Sequence, residues 1–428
     1  MSLYKSFSGL PLRIWLLAGV NLLNRCGAMV MCFLTLYLTE YLHFPLTYAG
    51  YAMTCYSLGA VAGTFLGGKL TDLWGYQRVQ LSSLISTGIM LCWVMQVRDF
   101  WAMCASLFML NFVSEAFRPA NATAIRQNST PETFTRSASL MRTAFNIAIA
   151  IALTVGGWII LIGWQHIFWI DALTCWIAAF VLWRFVPDLH KPDNLVQEMA
   201  KKQHTPEQQA NPIGIINELS ADNNSISTLS PYRDRLFLTF AFCTFLGAFA
   251  FMQIVWTLSP FFKQVYGWNE FTIGLVCAIN GIVVMLVEMP LIFRIEKQRD
   301  TLWFIRWGIV LYAVSYALLT LPVEYKWVIA VLYMIIISFG EILVMPFSST
   351  WVSQNTAIEK QGAYWALYGI AYSAANVLAP LVGTQIIDNF GYTALWYFVV
   401  TICGIAWIGF STLPQHSHSL IAARLQAK

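Results

Sequence analysis

The chain is short of charge. Lys, Arg, Asp and Glu make up only 11% of its 428 residues, against about a quarter in soluble domains. That excludes an ordinary water-soluble protein. Histidine is scarce too: positions 43, 166, 190, 204, 416 and 418 fall in loops or tails, except His166 at a span end. No catalytic cluster can be built from them. No His-Glu-x-x-His pair, Gly-x-Ser-x-Gly elbow or P-loop occurs, so nothing points to a zincin, a serine hydrolase or an ATP-driven pump. The nine cysteines (26, 32, 55, 92, 104, 175, 243, 277 and 403) all lie in apolar runs. Neither a disulfide framework nor a metal site is expected from them, and no cofactor. The formal charge of +4 is small and asks for no nucleic-acid partner. The N-terminus shows no short apolar core with a small-residue cleavage site, so a cleaved signal is not expected.

What is there is apolar: 58% of the residues are hydrophobic. Twelve runs approach the roughly 20 residues that cross a bilayer. They cover approximately 14–38, 46–69, 79–97, 101–124, 137–162, 165–186, 236–260, 270–293, 302–321, 327–350, 361–386 and 392–413. Six precede and six follow a polar stretch, Pro187 to Asp234, that holds Pro192, Pro206, Pro212 and Pro231 and no spanning run. The expected fold is an all-α membrane protein, with twelve transmembrane helices in two pseudo-symmetric six-helix bundles. The expected division is residues 1–186, a linker 187–234 with a short surface helix near Ile213 to Leu219, and residues 235–428.

Loop charge predicts the orientation. With the N-terminus cytoplasmic, all but five of the 25 Lys and Arg fall in inner loops or at inner helix ends. Arg98, Lys263 and Lys326 fall outside, and Arg25 and Arg118 lie within spans. Such an imbalance predicts both termini inside the cell, in a bacterial inner membrane.

Charges at bilayer depth are the functional signal. A central charge costs on the order of 3 kcal/mol on insertion scales, so such residues usually face a wet cavity. Span 4 carries Glu115 and Arg118 before Pro119, and span 10 carries Glu341 before Pro346. Each acid is the fifteenth residue of its run, counted from Trp101 and Trp327. Arg25 sits about 17 Å into span 1, at about 1.5 Å per residue. Two bases and two acids at similar depth can converge. Arg25 and Arg118 could hold a carboxylate through their planar guanidinium forks. Glu341 could hold an amine, and a zwitterion would suit both. Glu115 could instead be a structural partner of Arg118 or Arg25. Desolvation disfavours a lone carboxylate and a nearby arginine favours it, so Glu115 and Glu341 are candidates to trade a proton for a cationic group.

Further candidates are softer. Asn24 adjoins Arg25, Gln253 and Trp256 form an i, i+3 pair in span 7, and Tyr37 and Tyr56 lie in spans 1 and 2. Asn376 in span 11 could touch a ligand or make an interhelical hydrogen bond. Glu288 near Pro290 could act as a second gate charge.

Between spans 2 and 3 the chain reads Gly67-Gly68-Lys69-Leu70-Thr71-Asp72-Leu73-Trp74-Gly75-Tyr76-Gln77-Arg78. Here it resembles the major facilitator superfamily, which carries Gly-x-Leu-x-Asp-x-x-Gly and a basic cluster at this place. Gly68, Leu70, Asp72, Gly75 and Arg78 match, while Tyr76 and Gln77 thin the basic cluster. The resemblance implies a conformational gate, with Asp72 docking on the start of span 11, and a cavity lined by spans 1, 4, 7 and 10. Arg25, Arg118-Pro119 and Gly340-Glu341…Pro346 further resemble the proton-coupled oligopeptide transporters. Asn21 and Asn24 stand where that family has two glutamates, which leaves Glu115 and Glu341 as the titratable candidates. The span 1 pattern Asn-Arg-x-Gly…Phe-Leu-x-Leu-Tyr-Leu is also similar to drug–proton antiporters.

These readings predict a monomeric secondary transporter working by alternating access in the lipid bilayer. It would move a small zwitterionic or carboxylate-bearing solute, coupled to protons, and it is not an enzyme. Proton-coupled export of amphipathic drugs or lipids is the alternative, and would place Arg25 behind helix packing and fill the cavity with aromatics. An integral-membrane enzyme or a non-transporting sensor fits less well.

Overall fold

The computed structural model describes residues 10–129, 131–186, 231–295, 298–356 and 361–414. Most of the expected linker and its surface helix lie outside these residues. All regular structure among the described residues is helical. Eight helices are long and apolar enough to cross a membrane by length and composition. They are spans 4 to 10 and one stretch, Gln361–Thr412, that contains spans 11 and 12. Gly391 divides that stretch into residues 361–390 and 392–412, with φ of 82°, a conformation glycine adopts without steric cost. Span 2 (Leu46–Trp74) and span 3 (Tyr76–Val94) complete the set with a broken span 1. These three fall outside the eight because they carry more polar residues or breaks. The fold is the expected one, twelve helices in two six-helix bundles.

The remaining elements are span 5 (Pro131–Ile162), span 6 (Trp164–Phe185), span 8 (Glu270–Ile295), span 9 (Thr301–Leu318) and span 10 (Lys326–Gln354). Span 7 runs Arg235–Trp256 and continues as Leu258–Gln264. One end of the molecule carries the turn at Gly75, whose φ is 83°. The other carries the turns at Gly163 and Gly391. The last two begin matching segments, Gly-Trp-Gln-His-Ile-Phe-Trp and Gly-Tyr-Thr-Ala-Leu-Trp-Tyr, at equivalent places in the two bundles.

Breaks in the helices follow from residues. Pro119 has no N–H to give the carbonyl of Glu115, four residues earlier. Span 4 breaks there, between Phe100–Glu115 and Phe117–Gln127. Pro260 likewise deprives the Trp256 carbonyl, and span 7 breaks at Thr257. Span 1, expected to be continuous, is four pieces: Leu12–Cys26, Met29–Cys32, Leu34–Leu36 and a π-turn Tyr37–Tyr41. Pro346 leaves span 10 unbroken.

Within the first bundle, Gly59, Gly63 and Gly67 bring span 2 onto span 4. A Cβ at any of them would collide with backbone at Phe108, Phe112 or Ala116. Small residues at four-residue spacing let helix backbones approach closely in lipid, where packing replaces the hydrophobic drive.

Candidate functional site

The bundles meet through spans 2 and 11 and through spans 5 and 8. At the Gly163–Gly391 end, the Thr47 backbone N–H donates to Asp388 at 3.0 Å, and the Thr47 hydroxyl donates to the same oxygen. A Cβ on Gly50 would strike the Thr384 hydroxyl, and one on Gly157 the Glu270 carbonyl. Nearer the middle, Gly274 approaches the Leu153 carbonyl and Phe33. The Thr35 hydroxyl donates to the Trp256 carbonyl at 3.0 Å. That is the carbonyl left without a helical donor by Pro260.

Toward the Gly75 end the bundles part around a cavity of about 390 Å³. Span 5 supplies Arg142, Phe145 and Asn146, span 8 Glu288, span 10 Glu341 and Ser349, and span 11 Tyr368 and Tyr372. The volume lies in the range of roughly 300–1,000 Å³ for small-molecule sites. Arg142 and Glu288 form an ion pair across the bundles. Glu341 accepts from the Asn280 amide at 3.0 Å, and that amide also donates to Ser338 at 3.0 Å. Among the described residues, no Lys or Arg nitrogen lies within 4.0 Å of the Glu341 carboxylate.

The other charged residues gather elsewhere. Arg25 donates to Glu115 at 3.3 Å, and Arg118 approaches the other Glu115 oxygen at 3.6 Å. The side chains of Arg25 and Glu115 are 14% and 12% exposed, whereas that of Arg118 is 68% exposed. The Arg25 guanidinium also lies over the Phe145 ring, 5.6 Å from its centre. Arg25 and Asn24 line a small chamber of about 40 Å³ inside the first bundle, with Tyr56, Ser114 and Asp171. The sequence reading placed Arg25, Arg118 and Glu341 around one cavity. Instead both arginines converge on Glu115, and the cation sharing the Glu341 cavity is Arg142. Counting residues along a helix assigns these groups a level but not their rotation about each helix.

Several softer candidates are helix contacts in this conformation. Gln253 is fully buried and donates to the Ala379 carbonyl at 3.2 Å. Trp256 is 1% exposed and donates to Asn376 at 3.3 Å, the interhelical bond that was the alternative for Asn376. Tyr37 is 1% exposed, accepts from Arg98 at 3.3 Å, and packs against Tyr41, Phe168 and Trp164. It is the buried member of an aromatic cluster near the Gly163 turn, with Tyr41 and Trp164 half-buried beside it. Asn24 accepts weakly from the Cys175 thiol at 3.7 Å.

The gate motif is at the Gly75 end. Gly75 makes its turn, Gly68 has open space around it, and Asp72 and Arg78 are exposed. Among the described residues, Asp72 makes no hydrogen bond or ion pair to the start of span 11. Residues 357–360, which precede that span, lie outside the description. Asp171 and Asn280 were not singled out in the sequence. Asp171 is a lone acid in an apolar span and could have been found by the same depth argument that found Glu115.

Two helical bundles meeting around charged groups in an apolar body define a membrane carrier. The profile of the Major Facilitator Superfamily matches residues 15–375, and the chain belongs to that family of secondary transporters. Relatives include an uncharacterized MFS-type transporter, YttB, of Bacillus subtilis, 22% identical and covering 84% of each chain. A Na(+), Li(+), K(+)/H(+) antiporter of Planococcus maritimus is 22% identical over 90% of this chain and 91% of its own. Among solved structures, a POT family transporter bound to a thioalcohol-conjugated peptide superposes with a TM-score of 0.72 at 15% identity, covering 94% of this chain and 96% of its own. A D-xylose-proton symporter gives 0.72 at 11% identity, covering 97% and 99%.

Proposed function

We propose that this transporter moves a small zwitterionic solute in exchange or in company with protons, and that the 390 Å³ cavity is its binding site. The supporting observation is Glu341, an acid at bilayer depth that faces this cavity with a neutral amide as its recorded hydrogen-bond partner. A buried carboxylate without a cation is costly. Taking up either a proton or a substrate amine relieves that cost, and competition between the two couples their movements. Arg142, on the same cavity, offers a guanidinium to a substrate carboxylate at the expense of its pairing with Glu288. Arg25, Glu115 and Arg118 then form a charge cluster that Glu115 holds together, and Asp72 and Arg78 belong to a gate that closes in the opposite conformation. The Gly75 end faces the cytoplasm of a bacterial cell in this reading, by the distribution of bases, and the carrier works as a monomer.

A second reading is export of amphipathic cations. It is supported by Arg25 packed against Glu115 and by Phe145, Tyr368 and Tyr372 on the cavity wall. Proteoliposomes with an imposed pH gradient separate the two. A thermal-shift panel of dipeptides, amino acids, organic acids and cationic dyes first selects the probe. Under the zwitterion reading, Glu341→Gln abolishes gradient-driven accumulation while the protein stays folded, and Arg142→Gln weakens binding of the zwitterion. Under the cation reading, Arg142→Gln leaves dye transport intact. Accumulation that survives Glu341→Gln sinks both.

A further inference from the structure

We propose that Asp171 is a positioning residue for alternating access. It pins the second segment of span 1 to span 6, and the residues that follow that segment, Phe33 and Thr35, contact the second bundle. The proposal rests on the carrier class and not on the substrate.

The carboxylate is 1% exposed and lies in the middle of a helix without a basic partner in ion-pair range among the described residues. Its two oxygens accept the backbone N–H groups of Met29 at 3.3 Å and Val30 at 2.8 Å. These are the amides exposed where span 1 breaks after Cys26. The first amides of a restarted helix have no partner of their own, and in lipid each needs one. Asp171 supplies two acceptors from another helix. Gly27, at the break, lies so close to span 6 that a Cβ there would collide with the Thr174 hydroxyl.

The residues just after the pinned segment reach into the other bundle. Phe33 packs at the crossing of Gly156 on span 5 and Gly274 on span 8. Thr35 donates to the Trp256 carbonyl of span 7. The segment before the break carries Arg25, bound to Glu115. The break thus separates the part of span 1 that binds the charge cluster from the part that seals the bundle interface. Asp171 sets their relative placement. The chamber of about 40 Å³ between Asp171 and Arg25 exceeds the roughly 10–15 Å³ that one water needs, so water can replace the carboxylate at those amides.

The test uses the full-length protein in detergent, and so does not depend on orientation. Hydrogen–deuterium exchange reads the amides of Met29 and Val30. Peptide-resolved labelling with a water-soluble maleimide reads Cys32, in the pinned segment. With Asp171→Asn, exchange at these amides is expected to rise about tenfold, since only one of the two acceptor oxygens remains, and Cys32 labelling to rise with it. Leu182→Ala, a cavity in the same helix away from the break, is expected to lower thermal stability and leave the labelling rate of the half-buried Cys32 unchanged. Gly27→Ala should raise Cys32 labelling as Asp171→Asn does, and adding Thr174→Ala should return it to the starting rate. This pair decides the matter if Asp171→Asn does not fold. Unchanged exchange at Met29 and Val30 in a folded Asp171→Asn, unchanged Cys32 labelling in Gly27→Ala, an equal rise in Leu182→Ala, or failure of Thr174→Ala to reverse the rise overturns the proposal.

Discussion

Replacing Glu115 by Gln tests the charge cluster most directly. Breaking a buried ion pair by removing one partner costs about 3–5 kcal/mol, and insertion scales put a lone central charge at about 2.5–3.5 kcal/mol. Arg25 and Glu115 are 14% and 12% exposed, so their contact falls within these ranges. Arg118 is 68% exposed, reaches water, and contributes under about 1 kcal/mol. Glu115→Gln should therefore cost about 3 kcal/mol, nearly all of it from the stranded Arg25 guanidinium. Removing that guanidinium as well, in Arg25→Met/Glu115→Gln, should bring the loss below about 1.5 kcal/mol, since no uncompensated charge is then left in the bundle. Reversible unfolding in mixed micelles, followed by tryptophan fluorescence, measures both of these variants and the Arg25→Met single. A Glu115→Gln loss no larger than the roughly 0.6 kcal/mol of an average interhelical hydrogen bond in a membrane refutes the reasoning. So does a double variant as unstable as the two singles combined.

Gly63→Ala would drive a Cβ into the Phe112 carbonyl and push spans 2 and 4 apart. A loss of about 1–3 kcal/mol is expected in the same unfolding assay. Thr35→Val removes the donor to the Trp256 carbonyl. It should cost about 0.6–1.7 kcal/mol and raise amide exchange around Thr257. Asp99→Ala removes the cap on the Ala102 amide at the start of span 4. A loss of about 1 kcal/mol is expected, with faster exchange confined to the first turn of that helix.

Much of the architecture was legible because lipid is a simple solvent. It demands about 20 apolar residues per crossing, and each crossing left a run that could be counted. Pro119 accounts for the break in span 4 through its missing N–H, although the same property at Pro346 leaves span 10 unbroken. The break in span 1 had no such marker. Leu12–Cys26 and Met29–Cys32 read as one helix until Asp171, some 140 positions away, takes the amides between them. Eight helices, one of them holding both spans 11 and 12, are long and apolar enough to cross. Spans 1 to 3 pass only on their place in the chain, because polar side chains satisfied inside a bundle lower their hydropathy without keeping them out of the membrane.

The linear chain determined that this protein lives in a bilayer, crosses it twelve times, belongs with the facilitators, and carries Arg25, Glu115, Arg118 and Glu341 at similar depth. Depth follows from counting residues along a helix, so it needs no partner. Which charge meets which depends on how each helix is rotated and where it bends, and packing sets both. Only the tertiary structure therefore decided that Glu115 draws Arg25 and Arg118 together. It alone set Arg142 and Glu288 beside Glu341 on the larger cavity, and turned Tyr37, Gln253 and Trp256 into closed helix contacts.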